Sequence, residues 1–534
     1  MKRTAYINGK IFTSDRENLY AESMITEGGR VAWIGKESQR PCDAEEIIDL
    51  KGRCVVPGFV DAHMHPTLLA DFSKQIACLP PKVNSLKELA AEIARVREQQ
   101  GPDQWIMGWG YDEGKLAEHR APNRYDLDAG ASDAPVYLIR SDEHIRCVNS
   151  AALKLAGITR DTPDPEGGVV EKDENGEPTG ILKENAKYLI APYLPEETLE
   201  GAKQNLLDLG ELLSSQGVVA VGDMGNLTSS RDNYPLYKDA AAAGFRQRVA
   251  VYYMWDFYEN DPAFAIPAGR TDGREQIHAA GLKLIGDGTP SGRTAWSYEP
   301  FLGSEDYGMP IYTDESFQSA LDFVKANHLQ LSVHAMGARA IDRIADRIAE
   351  EPHWMDDPDV PDIRIEHITE PTESALDKCR DRGIAIVSQP IFGFCEVETY
   401  LDNMGAERFK KAYPFRHMRE KGCRLAFSTD SPATSWAVPS DPFPNLKAAV
   451  TRYAYDGTDM GQDQKLDMET AIILYTKEAA EVCGFKGLGM LKSGYDAAFV
   501  VLGEDIFNAD PEKLDAGMID EVYIGGSVAY MRKV

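Results

Sequence analysis

Along the middle of the chain, short runs of apolar and β-branched residues alternate with longer stretches in which apolar positions return every three to four residues. The short runs are VVPGFVDAHMH (55–65), GVVAVGDMG (217–225), QRVAVYYMW (247–255), GLKLIGDG (281–288), LQLSVHAMG (329–337), IRIEHI (363–368), GIAIVSQPIFG (383–393) and CRLAFSTDSP (423–432). Runs of this length with Gly or Pro as punctuation read as buried strands. The text between them, such as TDESFQSALDFVKANH and ARAIDRIADRIAEE, reads as amphipathic helix. Eight such alternations predict an α/β fold, a (β/α)₈ barrel with its active groups at the C-terminal ends of the strands. Residues 70–200, approximately, are too many for one strand-to-helix connection. They carry helical text (SLKELAAEIARVREQQ) and strand text (APVYLIR), and predict an insertion domain after the first barrel strand, over the barrel mouth.

The two ends follow a different pattern. TAYINGKIFTSD and SMITEGGRVAWIG alternate apolar and polar positions around Asn8-Gly9 and Gly28-Gly29, and YDAAFVVLG and IDEVYIGGSVAYM repeat this around Gly525-Gly526. Each dipeptide is a hairpin signal. Neither set is large enough to bury a core alone, so the two are expected to pair into one composite β-sandwich, residues 1–57 with 490–534, flanking a barrel over 58–489.

Composition narrows the partners. A net charge of -29 over 534 residues argues against nucleic acid or an anionic membrane as the main partner. No stretch approaches the roughly 20 apolar residues of a membrane span, and MKRTAYINGKIFTSD has no apolar core of a leader, so a cytoplasmic protein is expected. The eight cysteines include no Cys-x-x-Cys and read as reduced thiols. The partner is expected to be a small molecule, and a homodimer is compatible with the chain.

Alternate residues of a strand share a face, so His63 and His65 project together. Other polar residues at strand ends are Lys283 on the fourth, His334 on the fifth, His367 on the sixth and Asp430 on the eighth. Singly each has a plain structural reading: His334 as a strand cap, His367 paired with Glu366, Asp430 as a helix cap in TDSP. In one order at one face they point to a divalent metal site, because imidazole nitrogen and carboxylate oxygen suit an ion such as zinc. Tyr111 in WGYDEG, His144 and Asn149 in SDEHIRCVNS, and Arg293 in SGRTA are candidate substrate contacts.

These stretches, with GLKLIGDGTPSGRTA, LSVHAMGARAID, RIEHI, FSTDSP and the terminal INGKIF and LKSGYDAAFVVL, resemble the amidohydrolase superfamily over essentially the whole chain, in particular its N-substituted formamide deformylase-like branch. The resemblance implies that His63 and His65 hold one metal, that Lys283, carbamylated, bridges to a second held by His334 and His367, and that Asp430 is both ligand and proton carrier. The site would hold one or two ions. One departure is Ala338, where relatives tend to have Asp after the glycine of the fifth motif. The function expected is metal-dependent hydrolysis of a non-peptide carbon–nitrogen bond, of an N-substituted amide or formamide. The alternatives are a deaminase or cyclic amidase of the same superfamily, and a barrel that serves as a non-catalytic scaffold.

Overall fold

The computed structural model describes residues 2–101, 104–141, 145–165, 168–195, 198–225 and 231–533. It divides into two units, one of residues 1–67, 206–434 and 440–534, the other of 68–205 and 435–439.

The centre of the first unit is a sheet of eight parallel strands: β1 (Phe59–Met64), β2 (Val218–Asp223), β3 (Arg248–Met254), β4 (Ile277–Ile285), β5 (Gln330–Ala335), β6 (Ile363–His367), β7 (Ala385–Ser388) and β8 (Arg424–Phe427), each bonded to its sequence neighbour. All eight carry Val, Ile, Leu, Ala or Phe at positions withdrawn from solvent, as strands covered on both faces require. The sheet is nearly closed. Where its edges meet, the bonds lie just beyond β8: Asp430 N–H donates to the His63 carbonyl (2.8 Å) and His65 N–H to the Ser431 carbonyl (2.8 Å). Below them the Asp61 carboxylate accepts from Thr429 N–H (3.1 Å) and Thr429 Oγ1 (2.6 Å). This seam therefore runs directly beneath His63, His65 and Asp430.

Two strands end differently from the apolar text. The first run is cut at Gly58: Cys54–Pro57 belongs to a terminal sheet and only Phe59–Met64 to the barrel. A Cβ on Gly58 would meet the Val219 side chain at 2.4 Å, so the chain can pass between sheets only where no side chain is present. The seventh run does not continue to Gly393. Pro390, with fixed φ and no N–H, ends the strand and occupies the first turn of a helix over Pro390–Cys395.

The termini form two sheets. In one the order is Arg30–Gly35, Ser23–Glu27, Arg3–Ile7, Glu46–Asp49; in the other it is Ser527–Met531, Ile519–Ile524, Phe499–Leu502, Cys54–Pro57, Lys10–Phe12, Tyr20–Ala21. Gly28-Gly29 and Gly525-Gly526 are two-residue hairpin turns with both residues at positive φ. Asn8-Gly9 is instead a corner: Arg3–Ile7 and Lys10–Phe12 lie in different sheets. Only Asn8 of that dipeptide is left-handed, and Gly9 is needed because a Cβ there would strike Leu50 at 2.5 Å. Between the sheets Tyr6, Val55, Phe499 and Tyr523 share one core, with the Phe499 and Tyr523 rings stacked at 4.5 Å and Tyr6 edge-on to Phe499 at 5.1 Å.

The second unit holds its own six-stranded sheet, ordered Gly168–Lys172, Pro178–Glu184, Ile145–Val148, Val136–Arg140, Ile106–Tyr111, Ile76–Ala77. The helix Leu86–Gln99 begins at an Ser85 N-cap and buries Leu86, Leu89 and Ile93. The five residues 435–439, far along the chain, also belong to this unit.

Phe499→Ala should remove the ring at the centre of the inter-sheet core and lower stability by about 3–5 kcal/mol. Equilibrium denaturation of the variant checks this, and a loss below about 1 kcal/mol would mean that the terminal sheets do not depend on each other.

Candidate metal centre

Six polar side chains stand at the C-terminal ends of the barrel strands, and the structure groups most of them tightly. One ligating atom each from His63, His367 and Asp430 lies within 4.8 Å of the others. His65 Nε2 is 3.5 Å from Asp430 Oδ1, and the His334 ring centre is 4.4 Å from that of His367. Lys283 Nζ is 3.5 Å from His63 Nε2.

Local backbone aims two of these groups. Strict alternation along β6 would put Glu366 and His367 on opposite faces. His367 and Ile368 instead adopt φ of 74° and 46°, the chain turns, and both side chains reach His63. Asp430 is likewise left-handed, at φ 58°. Such conformations cost of order 1–3 kcal/mol each for non-glycine residues and gather at functional sites.

Each imidazole has one nitrogen fixed by an acceptor. His63 Nδ1 meets the Glu366 carboxylate (2.6 Å), His65 Nδ1 the Gly225 carbonyl (3.0 Å), and His367 Nδ1 the Gln389 amide oxygen (2.8 Å), while Gln389 donates onward to Ser428. A carboxylate or carbonyl can only accept, so these nitrogens carry protons, which leaves each Nε2 as the atom that faces the site. His334 is reversed: Nε2 donates to the Gly288 carbonyl (3.0 Å), leaving Nδ1 as the free base. These acceptors answer the Ala338 departure. Ala338 opens the helix Ala338–Ala349, and the carboxylate beside His334 comes from Asp287, 3.7 Å away, which also takes the N–H groups of Met336, Gly337 and Trp296.

The electrostatics follow from burial and pairing. Burial opposes the Glu366 anion, but the Arg364 guanidinium and His63 outweigh it and hold the carboxyl well below the usual range. Burial lowers the Lys283 amine to about 8. Burial, then the Lys283 charge, takes His334 down to about 4, and burial with neighbouring His334 keeps His367 well below the ordinary imidazole value. Burial raises Asp287 to about 7 despite its three N–H donors. For Asp430 burial acts upward and the facing imidazoles prevail, so it stands as a carboxylate.

The donor set can be tested for a metal. Asp430 Oδ1 is buried and has no hydrogen-bond partner among the described residues, although His63 Nε2 and His65 Nε2 lie 3.1 Å and 3.5 Å from it. A proton on one of these ring nitrogens, or a cation among the three atoms, would offset the charge of that oxygen. A divalent ion fits that position, and the neutral ring nitrogens and carboxylate oxygen are its usual ligands.

Tyr111 is wholly buried in the hydrophobic core of the second unit, so the substrate contact expected of it is corrected to a packing role there. Asn149 caps the helix Ser150–Leu155 and binds the backbone of residues 131, 134 and 136. Arg293 is turned to its own loop, donating to the Leu302 carbonyl (3.2 Å) and lying over Phe301. His144 lies outside the described residues. Sequence reasoning missed Asp61, Asp287, Arg364 and Gln389, and gave Glu366 only as a neighbour of His367. The signal available was RIEH, where two charged residues alternate with isoleucine just before His367 in a wholly buried strand.

A nearly closed parallel barrel with imidazoles, a lysine and a carboxylate at one end is the frame of a metal-dependent hydrolase. The chain belongs to the amidohydrolase family, matched over residues 46–530, and is a hydrolase of carbon–nitrogen bonds other than peptide bonds. It is similar to YtcJ of Bacillus subtilis (strain 168), 30% identical over 98% of each chain. It is also similar to the N-substituted formamide deformylase of Arthrobacter pascens, 28% identical over 100% of this chain and 99% of that one. In fold it matches the crystal structure of an uncharacterized metal-dependent hydrolase from Pyrococcus horikoshii OT3, with a TM-score of 0.74 and 25% identity over 96% of this chain and 100% of that one.

Protein stripped with a chelator should melt at a lower temperature and recover on adding Zn²⁺, Co²⁺ or Mn²⁺, since an ion at a hundred times its Kd stabilises by about 2.7 kcal/mol. His63→Ala should abolish the recovery; calorimetry showing an equal shift in that variant would place the ion elsewhere.

Proposed function

We propose that this chain hydrolyses the carbon–nitrogen bond of a small N-substituted amide or formamide, with one or two zinc ions held by His63, His65, His334, His367 and Asp430. The observation that carries the reading is the buried Asp430 Oδ1, which faces two imidazole nitrogens and has no hydrogen-bond partner of good geometry among the described residues. A divalent ion bound there would polarise the substrate carbonyl and acidify water. Asp430 then takes a proton from the attacking water and returns it to the departing nitrogen, acting as general base and afterwards as general acid. Lys283, buried and with its amine lowered to about 8, is suited to losing its charge beside a cation, and carbamylation would make it a carboxylate ligand for a second ion.

Support for the substrate class comes from two sides. The Arthrobacter pascens relative is an N-substituted formamide deformylase, alike over the whole chain. In this protein Phe392 stacks on His367, ring centres 5.7 Å apart and planes at 21°, which sets next to the ligands an aromatic ring of the kind that suits an apolar N-substituent.

A panel of N-substituted formamides, simple acyl amides, cyclic amides and aminopurines, scored for amine release, ring opening and ammonia, tests the reading. Amine release from the first two groups is expected, and ring opening or ammonia alone would replace it with a cyclic amidase or deaminase. On the best substrate, Asp430→Asn should retain most of the metal and lose at least about 10²-fold in turnover. Near-normal turnover of that variant would assign the proton transfer to another group.

A further inference from the structure

Behind the ligands, inside the barrel, lies a charged pair that the proposed reaction does not use. Arg364 and Glu366 are both wholly buried on β6. Arg364 binds Glu366 through Nε and again through Nη2 (3.0 Å), and the same Nη2 donates to the Ala62 carbonyl of β1 (2.7 Å) while Nη1 reaches Tyr252 Oη of β3 (3.1 Å). Glu366 accepts in addition from Ser332 Oγ of β5 (2.8 Å) and from His63 Nδ1 (2.6 Å). One guanidinium therefore braces three strands and fixes the carboxylate that fixes His63.

Withdrawing two charges from water costs several kcal/mol per ion, and well-packed apolar residues in their place are often neutral or stabilising. Stability alone is a poor reason for such a pair. What the pair does supply is asymmetry among the ligands. Among the described residues, His65, His334 and His367 are hydrogen-bonded to neutral oxygens of Gly225, Gly288 and Gln389 and His63 to a carboxylate, while the Asp287 carboxylate beside His334 stands off at 3.7 Å. A full negative charge on the far side of an imidazole makes its other nitrogen a better electron-pair donor than a neutral acceptor does.

We infer that Arg364 and Glu366 are positioning residues that make His63 the strongest imidazole donor of the metal centre, Glu366 by setting a carboxylate on Nδ1–H and Arg364 by holding that carboxylate in place through two hydrogen bonds. The inference rests on the metal-centre reading above. It assigns the carboxylate's charge, beyond its shape, to metal retention.

The test measures affinity for Zn²⁺ and Co²⁺ by competition with a chromophoric chelator, together with the visible spectrum of the Co²⁺ form, in wild type, Glu366→Gln, Arg364→Met and the double variant. The glutamine oxygen can still accept from His63, so Glu366→Gln keeps the geometry and removes only the charge. Its affinity should fall about 10–100-fold, with a shifted Co²⁺ band. Arg364→Met should fall similarly and also lose thermal stability, because it strands a buried carboxylate. The double variant, neutral again, should regain thermal stability over Arg364→Met while its affinity stays low. If the pair is only a brace, stability will change and affinity and spectrum will not, and the inference is wrong. Should Glu366→Gln alone fail to fold, the double variant decides, since it strands no buried charge, keeps an acceptor oxygen for His63, and must still show low affinity. Wild type that binds neither ion would instead overturn the metal-centre reading itself.

Discussion

The meeting of the first and eighth barrel strands governs the rest of the C-terminal face. Asp61 accepts both the N–H and the hydroxyl of Thr429, and one residue pair higher the backbones of His63, His65, Asp430 and Ser431 are bonded directly. Asp430 can therefore approach the imidazoles of β1 only because the barrel closes there in this register. A slip of one residue would turn His63 and His65 outward, since alternate side chains of a strand exchange faces. Closure and the assembly of the ligand set are one event.

From that seam the support of the site spreads inward and sideways by acceptors. Carbonyls, an amide and a carboxylate drawn from β2, β4, β6 and β7 each take a ring proton, so the orientation of four imidazoles is set by four different strands. Asp287 arrives from β4 to satisfy the start of the following helix and to stand beside His334.

The barrel was legible in the sequence because parallel strands covered on both faces must be continuously apolar, and eight such runs survive as plain text. The residues drawn together at the strand ends were legible for a related reason: each is a polar break at the end of an apolar run. Reading failed where conformation overrides pattern. Asn8-Gly9 looked like a hairpin but turns a corner between sheets, and Pro390 converts the tail of an apolar run to helix. Strand text does not reveal that Tyr111, a candidate substrate contact, packs inside a second core, or that Asn149 caps a helix. Glu366 and Arg364 were hidden for the opposite reason. Charges facing the inside of a barrel defy the expectation that charge means solvent, and only the three-dimensional partners show that each is satisfied.

The strand Cys54–Pro57 has consequences for how the protein is made. One of its edges pairs with Lys10–Phe12, present as soon as the N-terminus emerges, but the other pairs with Phe499–Leu502, which follows after the entire barrel. At ordinary rates of synthesis the delay is on the order of tens of seconds, during which an apolar strand edge remains open. Until then a half-built sheet is joined through Gly58 to the first barrel strand, and a chain lacking Phe499–Leu502 would carry that edge exposed, a template for pairing with other chains.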